Sequence, residues 1–140
     1  MNLKWFILDT AWLNITCGWG NGYVALPKEH PLYGVDYEEL SEFGIYAHGG
    51  ITYSECAKYL KHVPDDIQDD DWLVGFDTCH DGDTLDNWDM KHVRAETLGL
   101  KKDLESITRE DVLVRRVTAQ LRQVAEILDD IQDEIKSFNQ

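Results

Sequence analysis

The C-terminal part of the chain carries an apolar repeat that suits a long helix and little else. From residue 108 to residue 140 no Gly or Pro interrupts the sequence, and Thr108 followed by Asp111 resembles a capping box, a motif that begins helices. Beyond it, apolar residues recur at alternating intervals of three and four, which is the a/d spacing of a heptad repeat. The eight residues of this repeat, called the seam below, are Val114, Val117, Leu121, Val124, Leu128, Ile131, Ile135 and Phe138.

The length of this helix predicts an assembly role. A helix over residues 108–138 would be about 46 Å long at 1.5 Å per residue, whereas a compact domain of this chain length is about 37 Å across. The seam would extend beyond its own domain, so we predict a homo-oligomer, with a dimer as the first expectation. The alternative is a helix that breaks near Gln120 and folds wholly onto its own sheet. Leu113, Ala125 and Ile127 widen the seam, which suits a bundle or a helix packed on a sheet better than a bare two-stranded coil.

Charges along the predicted helix are divided between its halves. Within the apolar repeat, residues 114–138, three arginines lie in the first half and five carboxylates in the second, which opposes the helix dipole. Two such helices side by side and antiparallel would place basic halves against acidic halves, although the effect of exposed pairs is small. The residues are Arg115, Arg116 and Arg122 in the first half, and Glu126, Asp129, Asp130, Asp133 and Glu134 in the second.

The remainder of the chain predicts an α+β fold. Apolar residues make up 43% of the sequence and aromatic residues 11%, enough to bury a core. We predict residues 1–104 as an α+β domain that binds a ligand or partner, and 105–140 as the oligomerisation helix packed on it. The sheet is expected to be small, antiparallel and twisted. Strands are predicted within 3–16 and at 23–26, 44–47, 51–54 and 72–76, with a hairpin turn at Asn21-Gly22. A short helix or a turn is predicted over 36–43, and short helices are predicted near 55–62 and over 88–98.

Charge and cysteine content restrict the class of protein. The net charge of −14 argues against direct binding to nucleic acid or to an anionic membrane. No run of about 18 apolar residues predicts a membrane span. Three cysteines without a CxxC pair argue against a disulfide framework, so each is expected to be a small buried residue in a reducing cytoplasm.

Two loop strings carry residues suited to metal chemistry. His48 begins the string HGGITYS, and the string GFDTCHDGD contains Asp77, His80 and Asp83. Imidazole and carboxylate groups are ligands for Zn, Mn or Fe, and a bound metal acidifies a water for hydrolysis. We therefore predict a possible divalent metal site at these four residues and, with it, a metal-dependent hydrolase as an alternative function. The competing interpretation is that the aspartates cap turns and His80 is a solvated loop residue.

The same strings predict a ligand site that performs no chemistry. The glycines after His48 allow close approach of the backbone to a phosphate, and aromatic rings stack on flat ligands. Simple turns and core packing are the competing explanations. The predicted ligand-binding residues are His48, Gly49, Gly50, Thr52, Tyr53, Asp77, His80, Asp83 and Trp88.

Residues 65–89 hold ten aspartates with no Lys or Arg between them. A solvated surface is one explanation. The other is an acidic nucleic-acid mimic or protein–protein inhibitor that acts through this stretch on a basic partner.

Three strings in order, GYVALPKEHPLYG (22–34), HGGITYS (48–54) and WLVGFDTCHDGD (72–83), resemble a family of small, uncharacterised proteins of bacteriophages and prophages. The resemblance implies a bacterial host cytoplasm during infection and lends no catalytic residues. It also suggests counter-defence, either by sequestering a small nucleotide-like ligand or by blocking a host effector. Together with the loop strings, it favours a non-enzymatic binding protein over the hydrolase and the acidic mimic.

Overall fold

The computed structural model describes residues 1–13 and 16–140 and has an α+β fold. A four-stranded antiparallel sheet is accompanied by short helices and a long C-terminal helix. No helix of the described ranges is both long and apolar enough to cross a membrane. The elements are β1 (Lys4–Asp9), β2 (Gly20–Leu26), α1 (Tyr37–Leu40), β3 (Tyr53–Cys56), β4 (Trp72–Phe76), α2 (Met90–Ser106) and α3 (Arg109–Phe138), with 3₁₀ turns at Ser41–Phe43 and Ala57–Tyr59.

The strand order β1-β2-β4-β3 places β2 and β4 at the centre of the sheet. Val74 of β4 lies opposite Val24 of β2 on one side and Ser54 of β3 on the other. A strand covered on both faces is apolar along its whole length, and the WLVGF run that predicted a strand over 72–76 has this character. That prediction is confirmed.

One face of the sheet packs against α2 and the other against a second apolar cluster. The buried residues of α2 are Val93, Thr97, Leu100 and Leu104. A Cβ on Gly22 would collide with the Thr97 hydroxyl, so the glycine lets β2 approach the helix closely. The opposite cluster is built around Phe6, Tyr23, Ala25, Ala57, Ile67 and Leu73.

Several predicted elements are wrong. Asn21 and Gly22 form no hairpin turn but lie within β2, where the glycine is needed for packing. The first strand ends at Asp9, whose carboxylate accepts a hydrogen bond from the Ala11 backbone N–H and turns the chain. The end of the predicted strand segment 3–16 includes Asn14 and Ile15, which lie outside the described residues.

Further boundaries shift in the middle of the chain. Residues 44–47 form a loop rather than a strand, and the strand predicted at 51–54 runs over Tyr53–Cys56. The helix predicted near 55–62 is limited to the 3₁₀ turn Ala57–Tyr59, because the preceding residues are paired with β4. The short helix over 36–43 is confirmed as α1 and its 3₁₀ extension, and the helix over 88–98 is confirmed in a longer form as α2.

The C-terminal helix begins where the sequence predicts. Thr108 and Asp111 form a capping box, in which each side chain accepts a hydrogen bond from the other's backbone N–H. α3 is continuous over 30 residues, as predicted, and the alternative of a helix that breaks near Gln120 is wrong. The chain divides into two compact units, residues 1–107 and 108–140, near the predicted boundary between residues 104 and 105.

The expectation about the cysteines needs correction. Cys17 and Cys79 form a disulfide, with their Cα atoms 4.6 Å apart, and Cys56 is free. An odd cysteine count does not exclude one bridge, and the two partners are 62 residues apart in sequence, so no local spacing reveals them. Stable disulfides are typical of oxidising compartments, so this pairing counts against the expected reducing cytoplasm.

Candidate functional site

Two loops bring His48, His80 and Asp83 together; these three residues are called the His–Asp cluster below. His48 lies in the loop between the Ser41–Phe43 turn and β3, while His80 and Asp83 lie in the loop that follows β4. A tight turn links the latter two, because the Asp83 N–H donates to the His80 carbonyl at 2.9 Å and the His80 N–H donates to Asp83 Oδ2 at 2.9 Å. The turn directs the carboxylate back towards the imidazoles.

The Asp83 carboxylate bonds to both imidazole rings. His48 Nε2 lies 2.8 Å from Asp83 Oδ1 and 2.9 Å from Oδ2. His80 Nδ1 lies 3.0 Å from Oδ2. One potential ligand atom from each residue falls within 4.8 Å of the others. Two nitrogen donors and one oxygen donor therefore converge on one small region.

Asp83 is held in its charged form. Its side chain is only 5% exposed, and this burial by itself raises the pKa of the carboxyl. Hydrogen bonds from the His80 backbone N–H and from both imidazoles outweigh burial and lower the pKa below its ordinary value. At neutral pH the cluster consequently contains a buried carboxylate beside two partly exposed imidazoles, an arrangement suited to a bound cation.

Neighbouring groups fix the position of His48. Its ring lies against the Trp88 ring, with the ring centroids 3.9 Å apart and the ring planes tilted by 32°. Its backbone N–H donates to Glu96 Oε1 of α2 at 2.7 Å. Such outer contacts orient ligand side chains and restrict their movement. The His48 ring is thus held towards Asp83 by one tilted ring contact and one backbone hydrogen bond.

Gly49 lies directly against the second imidazole. Its φ is +69°, and a Cβ at this position would collide with the ring of His80. Gly50, with φ +94°, donates its backbone N–H to the Ala47 carbonyl at 2.8 Å and has open space around it. The double glycine therefore forms a turn, and Gly49 additionally allows the two loops to approach each other.

The structure brings together three of the four predicted metal ligands. Asp77 lies beside the cluster rather than within it. Its Oδ1 is 3.5 Å from His80 Nε2, whereas Asp83 bonds to the other ring nitrogen, Nδ1. The Asp77 Oδ1 also accepts a hydrogen bond from the Cys79 backbone N–H. Asp77 follows β4 directly, so its backbone direction is set by the strand and not by the turn that carries Asp83. The predicted ligand set is thereby reduced to His48, His80 and Asp83.

The predicted ligand-binding residues are divided in the same way. Trp88 and Gly49 contact the cluster. Thr52 pairs with β4, since its backbone N–H donates to the Gly75 carbonyl at 3.0 Å. The Tyr53 ring packs edge-on against Tyr23, 5.5 Å between centroids, beside the core cluster. Thr52 and Tyr53 therefore make contacts within the sheet and its core in this structure.

The acidic stretch 65–89 is divided by a strand. β4 lies in its middle, so five aspartates precede this strand and five follow it. Asp83 belongs to the His–Asp cluster, Asp89 caps α2 through the His92 N–H, and Asp70 pairs with Lys28 at 2.8 Å. Several of the carboxylates thus have separate structural partners.

Sequence reasoning missed Glu96 and the disulfide beside the site. Glu96 lies on α2, 48 residues from its partner His48, and an isolated glutamate on a helix carries no sequence signal for such a contact. Cys79 immediately precedes His80, and its bridge to Cys17 ties the His80 loop to the segment before β2. The adjacency of Cys79 and His80 was visible in the sequence, but the identity of the partner cysteine was not.

The donor set matches known metal chemistry. Two imidazoles and one carboxylate suit zinc and other first-row divalent ions, and sites with three protein ligands keep a position open for water or a ligand oxygen. No protein-family model, curated protein or solved structure matches this chain. The chemistry of the His–Asp cluster is therefore the ground on which a function is proposed.

Proposed function

We propose that the protein binds one divalent transition-metal ion through His48, His80 and Asp83, and that the ion holds an anionic group of a small nucleotide-like ligand. The observation that carries the proposal is the convergence of three donor atoms within 4.8 Å around a buried carboxylate. A site with three protein ligands leaves an open position for an oxygen of the ligand.

A bound metal would also explain how a strongly acidic chain can hold an anionic ligand. A net charge of −14 repels an anionic ligand. A bound divalent cation would be the largest local positive charge and would reverse the sign of the field close to the site. The Trp88 ring beside His48 offers an aromatic surface next to the metal position.

Zinc titration tests the metal site. We expect one zinc ion per wild-type chain, measured by competition with a chromophoric chelator. His80→Ala should lower the zinc affinity by 10-fold or more, because it removes one of three ligands. His92→Ala is the matched control, since His92 is exposed and bonds to Asp89 outside the cluster. Equal zinc affinity of the wild type and His80→Ala would contradict the proposal.

A second pair of variants tests the geometry without removing a ligand. Gly49→Ala places a Cβ against the His80 ring, whereas Gly50→Ala meets open space at a similarly positive φ. Both variants carry the backbone strain of a positive φ, so their difference isolates the collision. Zinc affinity should fall for Gly49→Ala and change far less for Gly50→Ala.

Hydrolysis is the second candidate function, favoured by the same open position. A metal-bound water there would be acidified and would attack a phosphorus atom of a phosphoanhydride bond, with the remaining nucleotide phosphate as the leaving group. Incubation of zinc-loaded protein with ATP, followed by denaturation and chromatography, separates the two. Retained, intact ATP supports sequestration, and released ADP or AMP supports hydrolysis. If the ATP is neither retained nor hydrolysed, both functions are contradicted for this nucleotide.

The cellular role is a separate proposal that rests on the resemblance to phage and prophage proteins. In it, the protein acts in counter-defence during infection of a bacterial host, by withholding a nucleotide-like signal or blocking a host effector. The division of the 65–89 aspartates between the two ends of β4 favours the His–Asp cluster over an acidic mimic.

A further inference from the structure

α3 presents its seam to solvent along its whole length. Every residue from Leu113 to Phe138 is exposed, including Leu121 at 63% and Phe138 at 90%. A soluble chain rarely leaves so long an apolar stripe uncovered, and stripes of this kind mark interaction sites. Because the helix is continuous, the seam extends over about three and a half heptads, which is enough for a coiled-coil contact.

We propose that α3 pairs with α3 of a second copy in an antiparallel arrangement, about a two-fold axis near Glu126. In antiparallel coiled coils an a residue packs opposite a d residue, and the midpoint of the seam falls at residue 126. All eight seam residues then have an apolar partner and none is left over. The pairs, each occurring twice, are Val114 with Phe138, Val117 with Ile135, Leu121 with Ile131, and Val124 with Leu128.

The residues that widen the seam favour this orientation. Ala125 and Ile127 occupy e and g positions, one residue on either side of the midpoint. In an antiparallel pair, e faces e and g faces g, so each meets its own counterpart at the axis. In a parallel pair, g faces e of the partner, and Ile127 would be opposite Gln132. Only the antiparallel pair places exposed Ile127, 58% accessible in the single chain, against another Ile127.

Charge provides an independent argument for a second copy in this orientation. The first half of α3 carries four arginines and two carboxylates, and the second half, after the midpoint, carries four carboxylates and one lysine, so the two halves have opposite net charge. A parallel pair places like charges side by side, whereas an antiparallel pair places each basic half along an acidic half. Exposed pairs contribute little affinity, but they select orientation. The residues are Arg109, Glu110, Asp111, Arg115, Arg116 and Arg122 in the first half, and Asp129, Asp130, Asp133, Glu134 and Lys136 in the second.

Native mass spectrometry and light scattering of the full chain test the pairing. We expect a dimer for the wild type and at least a 100-fold weaker dimer for Leu121→Glu, because a carboxylate would be buried opposite Ile131. Gln123→Glu is the matched control, since it adds the same charge at a c position of the heptad, two residues after Leu121 and outside the seam. Both residues are exposed in the single chain, so neither change should disturb its fold. A monomeric wild type, or equal dimer strength in both variants, would overturn the proposal.

Cysteine cross-linking tests the orientation. Leu121→Cys and Ile131→Cys are prepared separately in a Cys56→Ser background, which removes the free thiol. After mild oxidation, the antiparallel pair predicts covalent dimers when the two proteins are mixed and none from either protein alone. Cross-linking of each protein with itself would show a parallel pair, because identical a or d positions then meet. Absence of cross-links in all three samples would overturn the proposed register.

Discussion

Asp83 is the single residue on which the candidate site depends most. Its carboxylate is bonded to two imidazoles and to the His80 backbone N–H at the same time. Removing it would leave two histidines without the group that orients them towards each other. His48 and His80 are joined through this residue and through an edge-on ring contact, with centroids 5.2 Å apart. A turn residue therefore determines whether the two loops form a site.

Glu105 is a second residue with a specific anchoring role. It accepts hydrogen bonds from the Leu3 backbone N–H at 2.9 Å and from Lys101 Nζ at 3.0 Å, and so holds the start of β1 to α2. Both bonds lower the pKa of its carboxyl below the ordinary value of 4.5, and the bond from Leu3 has the larger effect. A carboxyl with a lowered pKa in the folded state stabilises the protein only while it is ionised.

This gives a prediction for the pH dependence of stability. Glu105→Gln should reduce the free energy of unfolding by about 1 kcal/mol at neutral pH, the value for a partly exposed charged hydrogen bond. The unfolded wild type takes up a proton at higher pH than the folded one. The difference in the free energy of unfolding between wild type and variant is therefore largest above the pKa of Glu105 in the unfolded chain. It disappears as the pH falls through the lower pKa of Glu105 in the folded protein. Urea unfolding between pH 7 and pH 3 measures it. Asp103→Asn, which also neutralises a carboxylate of α2 but at an exposed position, is the matched control.

At the scale of elements, α3 depends on its cap because its apolar face is exposed in the single chain. The Thr108 side chain accepts the Asp111 N–H at 3.0 Å, and the Asp111 side chain accepts the Thr108 N–H at 2.9 Å. The first turn also carries Glu110 and Asp111, which suit the positive end of the helix dipole. The helix thus begins with both side-chain bonds and favourable charge.

We expect Thr108→Ala to lower helix stability by about 1 kcal/mol, because one N-terminal N–H loses its acceptor. Thr118→Ala is the matched control: the Thr118 hydroxyl donates to the Val114 carbonyl inside the helix, where alanine is the better helix former. Thermal unfolding followed by circular dichroism, at one protein concentration, compares them. A larger loss for Thr118→Ala than for Thr108→Ala would contradict the importance of the cap.

At the scale of the whole molecule, the Cys17–Cys79 bridge joins distant parts of residues 1–107. It links the connection before β2 to the loop after β4, and backbone hydrogen bonds reinforce the link. The Gly18 N–H donates to the Thr78 carbonyl, and the Trp19 N–H donates to the Trp88 carbonyl, both at 2.7 Å. The loop that carries His80 is consequently held at both ends by residues from the start of the chain.

Loss of this bridge should be costly. Closing a loop between cysteines 62 residues apart stabilises by about 4 kcal/mol in the chain-entropy model, and measured values are about 2–4 kcal/mol. We expect Cys17→Ser to lower the free energy of unfolding by about 2–4 kcal/mol, measured by urea unfolding under non-reducing conditions. Cys56→Ser, which removes the free thiol, should change it little. If reduction of the wild type leaves both its mass and its stability unchanged, the bridge does not form in solution.

The sequence by itself determined the elements whose signal is local. The seam and capping box predicted α3 and its first residue, and the WLVGF run predicted β4 at its observed bounds. The α+β class followed from the same patterns. Helix periodicity, capping and short apolar runs are properties of neighbouring residues, so they can be read without knowledge of the fold. The residue types of the candidate site were also visible, as histidines and aspartates in glycine-containing loops.

The tertiary structure alone decided which of those residues meet. It selected Asp83 over Asp77, because the turn after β4 directs only the former towards His48, 35 residues away. It also joined Cys17 to Cys79 and placed Gly22 within a strand against Thr97 instead of in a hairpin turn. Contacts between residues far apart in sequence depend on strand order and loop path, which the packing of the whole chain determines. Local pattern therefore fixed the elements, and packing fixed the site.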